Sequence, residues 1–218
     1  MTNTGQEDIA ITNYKRFCAL EGSDYIASEF ALSTLLRLIK EFNVSNILEI
    51  GLGIGSISDT ILKFSKINNF TIKYVGTEKN EFCLKVLPQY VKDYNKIQIC
   101  SELNQIKKKD FDLIIIDGSD DSLTEIKKYC SVNAILFIEG GRDAQTKTIL
   151  NIFPKCLYVN IITLKKNPFY AHEKRSVSSY VGGGQLIFTN PTFDMKLFWI
   201  KEKLLTFVKI KIRKYRNK

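Results

Sequence analysis

Asn46-Ile47-Leu48-Glu49-Ile50-Gly51-Leu52-Gly53-Ile54-Gly55 is the stretch on which the reading of this chain turns. Residues 47–50 form a short apolar, partly β-branched run, the composition of a strand buried on both faces. Glycine then falls at every second position. Without a Cβ the backbone can turn sharply, and another group can come up against it. Residues 56–64 follow as a helix, with Ser56 expected to cap it. Strand, glycine loop and helix N-terminus in this order make the first turn of a doubly wound α/β fold, with free helix N–H groups facing a ligand.

The spacing G-x-G-x-G differs from the dinucleotide fingerprint G-x-G-x-x-G, and Ser56 stands where that pattern has its third glycine. Glu49 lies two residues before Gly51. A carboxylate is a poor neighbour for a pyrophosphate and a good one for a cation. In this form Glu49-x-Gly51-x-Gly53-x-Gly55 resembles the first motif of class I S-adenosylmethionine-dependent methyltransferases. The resemblance implies a cofactor with a sulfonium and an ammonium and no phosphate. An NAD-dependent oxidoreductase needs the dinucleotide spacing, which this chain does not have.

The order of elements downstream extends the resemblance over residues 46–190. Residues 71–78 read as a second strand ending in Glu78, 96–100 as a third followed by Ser101-Glu102, and 111–116 as a fourth ending in Asp117-Gly118-Ser119. Residues 134–139 read as a fifth, 156–163 as a sixth and 181–189 as a seventh. Helices are expected at 7–20, 28–42, 80–94 (kinked or split at Pro88), 121–130 and 145–153. The expected architecture is a Rossmann-like doubly wound sheet of seven strands, mostly parallel with an antiparallel edge strand, and helices on both faces.

The resemblance assigns roles by position. Glu49, Gly51, Gly53 and Gly55 would hold the methionine end of S-adenosylmethionine. Glu78 would accept hydrogen bonds from both ribose hydroxyls, as a carboxylate can. Ser101 and Glu102 would lie against the adenine, although the usual Gly-Asp pair is absent there. Asp117 would line the site beside the transferring methyl, in the manner of small-molecule O-methyltransferases, and serves as a catalytic candidate. His172, the chain's single histidine, sits in the long polar connector 165–180 and is the other candidate base. Metal-dependent relatives carry Asp-Asn at the fifth strand tip. Here it is Glu139-Gly140. Asp117 with Glu139 offers a carboxylate pair for a divalent cation, but the missing amide speaks against an obligatory metal.

Composition bounds the rest. A chain of 218 residues, 44% hydrophobic and 25% charged, has the make-up of one globular body with appendages. The expected division is 1–45 as N-terminal helices packed on the core, 46–190 as the cofactor-binding domain and 191–218 as a basic C-terminal helix. The first ten residues are polar and acidic and do not read as a secretory signal. Five widely spaced cysteines, with no C-x-x-C pair, read as reduced thiols of a cytoplasmic protein.

Charge is unevenly spread. From residue 196 to 218, nine Lys or Arg face one acid, Glu202, so this stretch carries +8 of the chain's net +9. The near-neutral body speaks against a nucleic-acid groove. Leu197, Ile200, Leu204, Val208, Ile212 and Tyr215 fall on one helical stripe among the lysines. Two readings lead: a helix seated on an anionic membrane at the inner face, or one docked on the body; RNA binding by the basic run ranks third. The functional expectation is a methyltransferase acting on a hydroxyl of a small molecule or glycan. The alternative is a non-catalytic nucleoside-binding protein anchored by its basic helix.

Overall fold

The structure is a computed structural model, and it describes residues 3–107, 109–119, 121–171 and 176–216. Seven strands form one sheet in the order β3-β2-β1-β4-β5-β7-β6. They are β1 (Asn46–Ile50), β2 (Lys73–Thr77), β3 (Ile97–Cys100), β4 (Phe111–Ile116), β5 (Cys130–Glu139), β6 (Leu157–Ile161) and β7 (Gly184–Phe188). The first five pair in parallel. Antiparallel pairing is confined to the other side of the sheet, where β7 runs between β5 and the outermost strand β6. The strand order reverses between β1 and β4, and the crevice at such a switch point is where this architecture collects ligands.

The central strands are largely apolar because both of their faces are covered, with Glu49 in β1 and Asp112 in β4 among the polar exceptions. Ile47, Leu113, Ile115, Ile135 and Phe137 enter one core. Their neighbours Leu48, Ile50, Ile114, Ile116, Leu136 and Ile138 enter the other. The first core is closed by α1 (Asn3–Cys18), α2 (Glu29–Glu41), α3 (Ser56–Ile67), α4 (Glu81–Tyr90) and α6 (Phe193–Arg216). The second is closed by α5 (Asp143–Ile152) and a 3-10 segment, Asp121–Tyr129.

Polar anchors fix the helices and strand ends. Asp112 Oδ2 accepts from the backbone N–H of Ser45 (3.1 Å) and Asn46 (2.9 Å), tying β4 to the start of β1. The buried carboxylate of Asp59 pairs with Arg16 at 2.6 Å and joins α3 to α1. Ser28 caps α2 by accepting from Ala31 N.

Three local expectations change. Gly55, in the left-handed region, caps α3, and Ser56 is the first helical residue. Segment 121–129 coils as a 3-10 helix rather than an α-helix, and β5 begins at Cys130, four residues earlier than its apolar run indicates. The helix expected over 80–94 stops at Tyr90, two residues past Pro88, and a separate 3-10 turn, Tyr94–Lys96, leads into β3.

The C-terminal helix α6 docks on the body along β6. That outermost strand would otherwise present an open edge, a hazard that a covering helix removes. Four side chains of α6 donate to carbonyls in and just beyond β6: Trp199 Nε1 to Tyr158 O, Thr206 Oγ1 to Asn160 O, Lys209 Nζ to Ile162 O, and Arg213 Nε to Thr163 O, at 2.7–3.0 Å. Buried Glu202 pairs with Arg37 at 2.7 Å. Phe198 enters the core against Phe42 and Phe188, with ring centroids 5.3 and 6.1 Å away. If α6 is part of the folded body, Phe198→Ala should lower stability by about 3–5 kcal/mol in a single urea transition. Helical signal lost in a separate early step would contradict this.

Candidate active site

The site begins with the way β1 ends. Ile50 O accepts from both Asp117 N (3.0 Å) and Gly118 N (2.7 Å), while Gly51 N and Leu52 N donate to Thr77 O. The loop after β1 is thereby stitched to the tips of β4 and β2. Gly51 has φ 87°, and a Cβ there would come within 2.6 Å of Gly118 Cα. Gly53, with φ 54°, has open space where its Cβ would stand. Both need the left-handed region that glycine tolerates, but the first is pressed against a neighbouring backbone and the second faces a void.

That void is a cleft of about 410 Å³ at the carboxyl edge of β1, β2 and β4, a small-molecule size. Gly51, Gly53, Glu78, Ser101, Glu102 and Asp117 all line it. Glu78 is held at the start of α4: its Oε1 accepts from Lys79 N and Asn80 N, and its Oε2 from Gly53 N at 2.7 Å. The carboxylate thus bridges the glycine loop and the second strand tip. Tyr25, Asn80, Ser119 and Ser122 also line the cleft, and sequence reading did not single them out for it. Ser119 had a signal in its place directly after Asp117-Gly118. Tyr25 had none, because the segment between α1 and α2 reads only as a helix break.

Two residues of the first motif stand outside the cleft lining. Gly55 turns toward Leu87 and Val91, and a Cβ there would meet Val91 at 2.3 Å. Glu49 is fully buried beneath the loop, on the same sheet face as Ile47. The Tyr74 hydroxyl donates to its Oε2, and its buried Oε1 has no hydrogen-bond partner among the described residues.

Burial pushes the Glu49 carboxyl well above the ordinary carboxylate range; the Tyr74 bond opposes this, and the negative charges of Asp117 and Glu78 push it further up. Three carboxyl groups therefore share one electrostatic neighbourhood. Because the folded value is raised, the stability drawn from neutral Glu49 is present at low pH. It is lost as pH rises from the ordinary carboxylate range through the folded value. A bound cation would reverse that trend by favouring the charged form.

Asp117 does not stand alone at its strand tip. Arg142, just after β5, directs Nη2 to the Asp117 carbonyl and lies 3.2 Å from Asp117 Oδ1, while its Nε donates to Glu139 O at 3.1 Å. The two strand tips considered for a divalent ion are bridged by a guanidinium. The Asp117 carboxylate that a divalent ion would draw on is thus already paired with a cationic side chain.

His172 lies outside the described residues. The described parts of its connector close on themselves, with Asn167 N to Ser179 O and Val181 N to Lys165 O both at 3.0 Å. They lean on α2 through Tyr170 and Glu29. No described residue of this connector lines the cleft.

No family model matches the sequence, and no curated protein matches it. Solved structures match the fold. The O-methyltransferase from Bacillus cereus in complex with SAH is 13% identical, with a TM-score of 0.57 over 83% of this chain and 90% of that one. TomG from Streptomyces achromogenes, an O-methyltransferase involved in tomaymycin synthesis and solved with SAM, is 14% identical, with a TM-score of 0.56 over 85% and 90%. The tRNA (m1A58) methyltransferase TrmI from Aquifex aeolicus is 12% identical, with a TM-score of 0.55 over 82% and 76%. The chain has the class I methyltransferase fold.

The two loop glycines should separate under substitution. Gly53→Ala meets only the left-handed penalty, about 1–2 kcal/mol, whereas Gly51→Ala adds a backbone collision and should be the more damaging by urea denaturation. Equal losses would contradict the geometry.

Proposed function

We propose that the chain is an S-adenosylmethionine-dependent methyltransferase whose acceptor is a hydroxyl of a small molecule or glycan. The observation that carries this reading is the convergence of Glu49, Glu78 and Asp117 around a glycine loop with no cationic side chain of its own. Such a site repels a pyrophosphate and favours a ligand that brings positive charge. The unmatched Oε1 of Glu49 and the open space over Gly53 also fit a cationic nucleoside.

In this reading Gly51 and Gly53 admit the methionine end against the main chain, with Glu49 acting from beneath and Gly55 shaping the turn. Glu78 takes the ribose, and Ser101 and Glu102 border the adenine. When bound, the cofactor supplies a methyl group on a sulfonium, an activated leaving group that needs no acid from the protein. The chain's task is to orient the acceptor in line and exclude water. The hydroxyl proton must leave as the new bond forms. Asp117, facing the cleft and steadied by Arg142, is the group we assign to hold that hydroxyl and receive the proton; His172 remains the second candidate.

Isothermal titration with S-adenosylhomocysteine should show one site per chain, and Glu78→Ala should weaken it roughly 10- to 150-fold, the value of hydrogen bonds to a charged group. Binding of NAD in preference to S-adenosylhomocysteine would overturn the proposal. Binding without slow consumption of S-adenosylmethionine by the purified chain would favour the non-catalytic alternative.

A further inference from the structure

Helix α6 faces the wrong way for an ordinary docked amphipathic helix. From Glu202 onward its inward positions are polar: Glu202, Thr206, Lys209 and Arg213 face the body and bond to Arg37 and the β6 edge. Its outward positions are apolar. Phe193 is 72% exposed, Leu204 62%, Phe207 61% and Tyr215 82%, with Leu197, Ile200 and Val208 about half exposed between them. Of the expected stripe, Leu197, Ile200, Leu204, Val208 and Tyr215 point to water and Ile212 is half-buried, while Phe193 extends the line by a turn at its start. Between positions 193 and 215 of this helix the stripe runs for about 33 Å. A continuous exposed patch of this kind marks an interaction surface.

Charge decides what covers it. Lys196, Lys201, Lys203, Lys211, Lys214 and Arg216 are exposed along this helix. The acid Glu202 is already buried against Arg37, which leaves Asp194 as the exposed acid of the helix. A second copy of the same face would press like charges together. RNA would satisfy the lysines and leave the stripe in water. An anionic bilayer surface satisfies both, with apolar side chains at the acyl boundary and lysines among the headgroups. Among the described residues no helix is long and apolar enough to cross a membrane, so the geometry is one of lying on the surface. We propose that the outward face of α6 seats this protein on an anionic lipid bilayer. This is independent of the methyl-transfer reading, since none of these residues touches the cleft.

The test is co-sedimentation of the full chain with vesicles of equal parts phosphatidylglycerol and phosphatidylcholine, against vesicles of phosphatidylcholine alone. Binding should be confined to the anionic vesicles and fall with salt. Leu204→Ser with Phe207→Ser, both at exposed positions, should leave circular dichroism unchanged and cut partitioning at least tenfold. Lys203→Gln with Lys214→Gln should cut it by roughly tenfold or more. A chain that stays in the supernatant would overturn the proposal. So would binding indifferent to both double variants. A dimer seen without lipid by velocity sedimentation, and broken by the apolar pair, would assign the face to a second copy. RNA binding sensitive to the lysine pair but not the apolar pair, with no vesicle binding, would assign it to nucleic acid.

Discussion

The contact between Gly51 and Gly118 is the constraint on which the site rests. Ile50 O accepts two N–H groups from the tip of β4, and this draws the two turns together until no Cβ fits between them. Because β1 and β4 are neighbours across the reversal of strand order, their turns diverge beyond that point and leave a crevice. The same stitching sets Asp117 on one wall. The bond from Gly53 N to Glu78 sets the other. A sheet built mainly for burial thus produces, at one edge, two carboxylates at fixed places around bare backbone.

Electrostatics turn that shape into a preference. Glu49 sits beneath the loop where water cannot screen it, and its carboxyl is held toward the neutral form by burial and by its two acidic neighbours. A site in this state gains most from a ligand that brings positive charge of its own. Of the cationic side chains nearby, Arg142 bridges the tips of β4 and β5, and Lys79 borders the cleft beside Glu78. The charge of the protein is concentrated instead on α6, where lysines surround an apolar face on the far side from the bonds that fix the helix to β6. The molecule therefore separates an acidic ligand edge from a basic surface helix.

The sheet was legible in the sequence because its signals are local. Runs such as Ile47–Ile50 and Phe111–Ile116 are apolar at nearly every position, and that pattern fits strands covered on both faces. The glycines of the loop announced themselves by spacing. Residues at strand tips, Glu78 and Asp117 among them, could be assigned to one edge by topology alone. What the sequence withheld depends on long-range contact. Glu49 reads as a ligand-facing acid until the Tyr74 hydroxyl, 25 residues away, is seen to donate to it within the core. Tyr25 reaches the cleft only because α1 and α2 pack on the sheet. The helical stripe of α6 was readable, but which face met the body was not. That choice is made by hydrogen bonds to the carbonyls of an edge strand, and periodicity carries no record of them.

The central claim is that an acidic glycine cleft receives a cationic nucleoside, and a crystal structure with S-adenosylhomocysteine tests it most directly. The account places the ribose hydroxyls on the Glu78 carboxylate and the amino-acid end of the ligand over Gly51 and Gly53. A diphosphate seated on the loop, or a ligand bound away from an unchanged and empty cleft, would contradict it.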